Sequence, residues 1–190
     1  NSATYRGGGI HVSNSDCSIR NLTIFGNTSG GDGGGGINME SGANITIINS
    51  ILYGNTPEQI RFHDVSDQNS ITISYSDIEG GENNIETNDN GTVSWGEGNI
   101  DVDPLFVDPF NGDYRISDFS QGIGAGTSVG APTSDLDGNP RPNPVGTNPD
   151  MGAYENSLGT AETIIYGDVT MNGTVSSFDA SLILRHAVGL

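Results

Sequence analysis

The amino-acid sequence predicts an all-β protein, a parallel β-helix in which each turn of the chain stacks on the turn before it. Three observations lead to this prediction: segments of the first eighty residues repeat, apolar residues alternate within each segment, and glycines recur between segments. Gly26, Gly54 and Gly80 hold equivalent places at spacings of 28 and 26 residues. Self-similarity at a period of this length is typical of solenoids.

Residues 1–97 contain the repeats. The three similar segments read GGGIHVSNSDCSIRNLTIFGNT from Gly7, GGGINMESGANITIINSILYGNT from Gly34 and EQIRFHDVSDQNSITISYSDIEGG from Glu58. One segment with two or three short strands cannot bury its own apolar face, whereas stacked turns bury a continuous core. The first segment begins in the middle of a turn, so we expect that end of the solenoid to be open.

Each segment carries pairs of apolar residues separated by one residue, which is the period of a strand with one buried face. The pairs are Ile10 and Val12, Cys17 and Ile19, Ile37 and Met39, Ile45 and Ile47, Ile60 and Phe62, and Ile71 and Ile73. We expect equivalent members to form ladders along the axis, and Asn21 and Asn49 to form a ladder at a turn. A β-sandwich of hairpins is the alternative, but it does not require equivalent residues to return at this spacing.

Residues 98–156 are rich in Pro and Gly and predict an irregular, ordered cap rather than further regular turns. This block reads GNIDVDPLFVDPFNGDYRISDFSQGIGAGT from Gly98 and continues with SDLDGNPRPNPVGTNPDMGAYE from Ser134. The preceding GGGI and GNT repeats resemble those of secreted right-handed parallel β-helix proteins, which implies a right-handed coil. The block itself resembles the ending of a bacterial cell-surface β-helix family, the choice-of-anchor Q domain proteins. The resemblance implies a cell-surface protein whose block closes the C-terminal end of the solenoid.

Residues 157–166 predict a linker, and residues 167–190 predict a calcium-binding loop followed by a short helix. An EF-hand-type loop needs oxygen ligands at alternate residues, a glycine at the sixth place and an acid at the twelfth. The ligand places fall on Asp168, Thr170, Asn172, the Thr174 carbonyl, Ser176 and Asp179, with Gly173 at the turn. Thr170 departs from the pattern, because Asp or Asn is usual there and a hydroxyl is a weaker ligand.

This last segment resembles one half of a type I dockerin. The resemblance implies Ca²⁺ as a cofactor and a cohesin-like protein as a partner. Because a dockerin has two loop-helix halves, a second copy of the chain is the other partner that we expect. A degenerate acidic turn without metal is the alternative.

The charge balance excludes some classes of partner. The chain has 24 acidic and 6 basic residues and a net charge of −18, so it lacks the basic surface that nucleic acid requires. Anionic membranes would repel it, and no apolar run is long enough to span a bilayer. Such acidity is typical of a secreted protein that binds hard cations, or of an adaptation for solubility. The single cysteine, Cys17, excludes an internal disulfide.

Residues between the inward pairs should point outward and stack in columns. One column comprises His11, Asn38 and Arg61, and the next comprises Ser13, Glu40 and His63. Polysaccharide lyases and hydrolases built on β-helices use outward carboxylates and a basic residue in such a groove. The columns offer only Glu40 beside Arg61, which favours binding, or a solvated sheet face, over catalysis.

Other polar residues are candidates for a second metal site or for glycan attachment. Asp101 with Asp103, and Asp135 with Asp137, could each hold Ca²⁺ or simply form turns. Sequons occur at Asn21, Asn27, Asn44, Asn90 and Asn172. In all, the sequence predicts a secreted or cell-surface, non-catalytic structural or adhesive module that docks or assembles head to tail through calcium. The alternatives are the remnant of a β-helix polysaccharide lyase or glycoside hydrolase, or a carbohydrate-binding module.

Overall fold

A computed structural model describes residues 1–63, 67–162 and 174–176 of the chain. It confirms the all-β fold class: short strands pair in parallel and wind into a solenoid of about four turns. The right-handed sense of the coil stays a prediction, since strand pairing is the same in either hand.

The strands follow one another turn by turn. The first turn contains β1 (Ser2–Ala3), β2 (Ile10–Ser13), β3 (Asp16–Arg20) and β4 (Thr23–Phe25). The second contains β5 (Thr28–Ser29), β6 (Ile37–Glu40), β7 (Asn44–Ile48) and β8 (Ile51–Tyr53). The third contains β9 (Ile60–Phe62), β10 (Asn69–Ser74) and β11 (Asp77–Ile78). The fourth contains a 3-10 turn (Glu82–Asn84), β12 (Ile85–Glu86) and β13 (Gly91–Trp95).

Three parallel sheets form the faces of the solenoid. The first sheet has the order β12-β9-β6-β2, the second β13-β10-β7-β3, and the third β11-β8-β4. A smaller pair, β1 and β5, lies at the corner after the third sheet. Each of the first three turns therefore contributes one strand to each face, and the fourth contributes to the first and second sheets. This arrangement brings residues from equivalent places in the repeat side by side.

The predicted ladders are present in the core. Ile10, Ile37, Ile60 and Ile85 are paired in register, and so are Ile19, Ile47, Ile73 and Trp95. The central members Ile37, Ile47, Ile60 and Ile73 are fully buried, while Cys17 and Trp95 pack partly buried against the same core. Burial of this apolar stack is the main force that holds the turns together.

The glycine triplets allow adjacent turns to approach closely. A Cβ on Gly35 would lie 2.3 Å from the carbonyl oxygen of Thr56 in the next turn. A Cβ on Gly8 would likewise lie 2.5 Å from the carbonyl oxygen of Gly35. Only glycine fits such an approach of backbone to backbone. The recurrent corner glycines are favoured for a different reason. Gly26, Gly54 and Gly80 all have positive φ, a conformation that glycine adopts without strain.

Asparagine ladders hold two corners of the coil. The predicted contact is present, with Asn49 Nδ2 donating to Asn21 Oδ1 at 3.4 Å. A second ladder, which we had not predicted, joins Asn27 to Asn55, whose Oδ1 accepts from both the backbone and the side-chain nitrogen of Asn27 at 2.9 Å. These bonds satisfy buried polar groups where the strands end.

The C-terminal block lies along the side of the solenoid. It contains an antiparallel hairpin of β14 (Phe106–Asp108) and β15 (Asp113–Ile116), joined by a 3-10 turn (Pro109–Asn111), and then irregular chain. Thr127 O accepts from Asn49 Nδ2 at 2.7 Å, and Ala153 N donates to Thr23 Oγ1 at 3.1 Å. The block thus reaches back to the first two turns, whereas the family resemblance implied a cover at the C-terminal end.

The physical reason for this path is an apolar patch on the outer surface of the third sheet. Ile51 is 1% exposed although its neighbour Leu52 already faces the core. Ile51 packs instead with Ile116, Ile123 and Met151 of the block. A strand with apolar residues on both faces must be covered on both sides. The core covers the inner side of β8, and the C-terminal block covers its outer side.

Candidate functional site

The outer face of the first sheet carries the polar columns that the sequence predicts. The register pairs His11 with Asn38, Asn38 with Arg61, and Arg61 with Glu86. Ser13 pairs with Glu40, and His63 follows directly after β9. The structure therefore brings all five predicted outer-face residues to one surface; they are His11, Asn38, Glu40, Arg61 and His63.

Four of the polar side chains on this face form a connected chain of contacts. Asn38 Oδ1 accepts from Gly34 N at 3.3 Å, and Asn38 Nδ2 lies 3.2 Å from His11 Nδ1. An amide NH₂ can only donate, so His11 Nδ1 accepts and its proton is on Nε2. That nitrogen lies 3.4 Å from Glu40 Oε1, and Arg6 Nη1 pairs with Glu40 Oε2.

These contacts bury the outer side of β6, one of the two inner strands of the first sheet. All four residues of β6 are buried, including the outward-pointing Asn38 and Glu40. Both oxygens of Glu40 are occupied, one by Arg6 and one near His11. The carboxylate thus orients its neighbours and is not poised as a free acid or base. The outer face at this point is a preorganised polar surface rather than a loosely solvated one.

A cavity of about 300 Å³ lies beside this network. Its lining residues are Asp32, Arg61, His63 and Asn88. Arg61 Nη1 donates to Glu58 Oε1 at 3.0 Å, which fixes the guanidinium. Arg61 Nε, His63 Nδ1 and Glu58 Oε2 are buried and have no hydrogen-bond partner among residues 1–63, 67–162 and 174–176. Folded proteins pair nearly all their buried polar atoms, so three unpaired atoms this close together in the sequence mark a site.

Sequence reasoning missed the corner residues of this cavity. Asp32 and Asn88 precede and follow strands of different turns, and Arg6 precedes the first strand of the sheet. None of them belongs to the period-two pattern. The available signal was the basic pair Arg61 and His63, separated by one residue in a very acidic chain.

Asp101 and Asp103, proposed as a second metal site, each accept a hydrogen bond from a backbone N–H group. Asp101 Oδ1 accepts from Gly80 N at 2.8 Å, and Asp103 Oδ1 accepts from Leu105 N at 2.9 Å. Both are exposed, but they lie near Asp77, a buried residue of β11 whose Oδ1 accepts from Val102 N at 3.2 Å. Burial raises the pKa of Asp77 to about 7, the Val102 hydrogen bond opposes this, and repulsion from Asp101 and Asp103 adds to it.

The other acidic pair also has a structural role. Asp135 accepts hydrogen bonds from Asn139 N at 2.7 Å and from Glu155 N at 2.9 Å. Burial alone would raise the pKa of Asp135, but these hydrogen bonds outweigh it and lower the pKa. Asp137 is exposed and lies in a surface groove with Arg115 and Tyr154. Asp135 thus forms a turn, which was the alternative left open for it.

Within residues 1–63, 67–162 and 174–176, no three His, Cys, Asp or Glu side chains converge as a metal site. Thr174 and Ser176 of the predicted calcium loop are exposed. The remaining loop ligands Asp168, Thr170, Asn172 and Asp179 lie outside the described residues. Calcium binding by this loop stays a prediction.

Three of the four described sequon asparagines are buried. Asn21 and Asn27 belong to the ladders, and Asn90 Nδ2 donates to the carbonyl oxygen of His63 at 2.8 Å. Asn44 is exposed, and its Oδ1 accepts from Ser70 Oγ at 2.9 Å. Of these four, only Asn44 has room for a glycan in the folded chain.

No family model matches the chain, no curated protein matches it, and no solved structure matches it. The resemblances to choice-of-anchor Q proteins and to dockerins therefore stay predictions from the quoted motifs. The described residues also include no helix long and apolar enough to cross a bilayer.

Proposed function

We propose that the chain is a non-catalytic structural and adhesive module that acts outside the cell and binds polysaccharide on the outer face of its first sheet. One observation carries this proposal: beside a cavity, polar atoms of Arg61 and His63 are buried without a hydrogen-bond partner in the part of the chain that the structure describes. A preorganised polar face on a rigid solenoid suits binding of an extended polymer, because little conformational entropy is lost when it binds.

A polysaccharide panel tests this proposal. We expect the protein to be retarded in native gels that contain a soluble polysaccharide such as dextran, mannan, xyloglucan or polygalacturonate. We also expect no increase in reducing ends or unsaturated sugar ends after prolonged incubation, because Glu40 is already paired. Release of new ends would favour the lyase or hydrolase alternative, and absence of retardation on every polymer would refute binding.

Head-to-tail assembly is a second candidate function. In the described chain, β12 and β13 are the last strands of their sheets, and Val93 and Trp95 at that end are only partly buried. An open parallel edge with an incomplete apolar stack is a template for another strand. A heterologous contact of this kind does not close and gives filaments. Sedimentation velocity at increasing concentration would show growth beyond the dimer, and a monomer throughout would refute it.

Calcium-dependent docking of the chain through residues 167–190 is also part of the structural and adhesive function that we propose. We expect one Ca²⁺ to bind per chain in calorimetry, and replacement of both Asp168 and Asp179 by Ala to abolish it. These residues supply the two carboxylates of the loop, and hard cations require such ligands. Replacing Asp135 and Asp137 by Asn is the matched control and should leave calcium binding unchanged. Equal calcium binding by the parent and the Asp168/Asp179 variant would refute the loop assignment.

A further inference from the structure

We propose that the cavity beside Arg61 holds one sugar unit through a pair of neighbouring hydroxyl groups, and that the polymer it belongs to is uncharged. This inference rests on the proposed function and adds the class of ligand and the residues that select it. Two observations support it: the polar atoms at the cavity that have no hydrogen-bond partner among the described residues, and the charges around them.

Arg61 is oriented before any ligand arrives. Its Nη1 is held by Glu58 Oε1 at 3.0 Å, and a Cβ at Gly34 would lie 3.0 Å from Arg61 Cβ, so the backbone at Gly34 packs against the arginine stem. The Nε–H of Arg61 is buried, and no described residue accepts its hydrogen bond. A fixed guanidinium with one spare donor is a ready hydrogen-bond donor for a ligand oxygen.

Acceptors lie around the same cavity. Asp32 is an exposed carboxylate in its lining. His63 contributes a buried Nδ1 that has no partner among the described residues and that accepts in the tautomer with its proton on Nε2. A hydroxyl group both donates and accepts a hydrogen bond. Two adjacent hydroxyls can therefore accept from Arg61 Nε and donate to Asp32 or His63. A carboxylate or sulfate group only accepts, so it could not donate to Asp32, and the negative charge of Asp32 would repel it.

The local charge also favours a neutral sugar. Glu58 pairs with Arg61, and Asp32 adds a further negative charge at the cavity. The whole chain carries a net charge of −18. An acidic polymer would be repelled both at long range and at the site itself. The cavity volume of about 300 Å³ is at the lower end for small-molecule sites, which fits one sugar unit of a longer chain.

The experiment compares neutral polymers (mannan, xyloglucan and dextran) with polygalacturonate in affinity gels, using the whole chain. We expect retardation by at least one neutral polymer and none by polygalacturonate. Arg61→Lys keeps the positive charge beside Glu58 but removes Nε, so affinity should fall about tenfold, the effect of one charge-assisted hydrogen bond. Arg20→Lys, on the exposed face of the second sheet, is the matched control and should bind as the parent does.

Each outcome decides a separate point. Equal binding by the parent and Arg61→Lys would place the polysaccharide outside this cavity and overturn this inference, while polysaccharide binding by the chain would stand. Retardation by polygalacturonate alone would overturn the neutral class, and no retardation at all would overturn the proposed function as well. Should Arg61→Lys fail to fold, Asp32→Asn serves instead, because Asp32 is exposed and its change should weaken binding severalfold without unfolding the chain.

Discussion

The substitution Gly35→Ala is expected to destabilise the solenoid by at least about 3 kcal/mol, the upper range for overpacking. The added Cβ would lie within 2.5 Å of three backbone atoms of Thr56, its nitrogen, carbonyl carbon and oxygen. Backbone atoms cannot rotate away as a side chain can, so the turns that contain Gly35 and Thr56 must separate. Urea unfolding followed by circular dichroism measures the loss.

Gly112→Ala is the control for this prediction. Gly112 adopts a positive φ of 83°, which Gly35 does not, and a Cβ at Gly112 would meet nothing within 4 Å in the described chain. Its replacement should cost only about 1 kcal/mol, from the left-handed conformation alone. If the two variants lost equal stability, close approach between turns would not be the reason for the glycine triplets.

The solenoid core could be predicted because its rules are local and periodic. Ile19, Ile47 and Ile73 recur at nearly equal spacing, and period two assigns each of them to the inner face. The side position of the block could not be predicted in this way. It depends on contacts such as Asn49 with Thr127, 78 residues apart, in a Pro- and Gly-rich stretch without a period.

One local signal did point to a second layer on the third sheet. Ile51 and Leu52 are adjacent apolar residues in β8, and a strand with one solvated face has a polar residue at one of these places. Both are buried, Leu52 in the core and Ile51 under the block. A break in alternation of this kind indicates a strand that is covered on both sides.

The candidate site likewise has one part that could be predicted from the sequence and one part that could not. The columns through Asn38 and Glu40 follow from the repeat, because outward positions alternate with inward ones. The cavity could not be predicted from the repeat, because Asp32 and Asn88 lie in corners. The alternation of residues does not determine the backbone path of those corners. The burial of Glu40 by Arg6 likewise depends on where the segment before β2 lies.

Lowering the pH from 8 to 5 is expected to stabilise the contact between the third sheet and the block. Burial raises the pKa of Asp77 and of Asp150 to about 7, although backbone hydrogen bonds oppose the shift. The folded state therefore binds these protons more tightly than the unfolded state does. Stability should rise as pH falls through 7, by about 1.4 kcal/mol per pH unit for each group, and level off near pH 4 where unfolded aspartates are protonated.

Asp77→Asn separates this effect from the general repulsion in a chain of charge −18. Asp77 Oδ2 is buried without a hydrogen-bond partner among the described residues, and Asp77 faces repulsion from Asp101, Asp103 and Glu79. At pH 8 the variant should unfold at a higher urea concentration than the parent, and its stability should change less with pH. Asp16→Asn removes an exposed carboxylate on the second sheet and should keep the parent's pH dependence. Parallel pH profiles for the parent and Asp77→Asn would mean that Asp77 is hydrated, and that the block does not seal the third sheet.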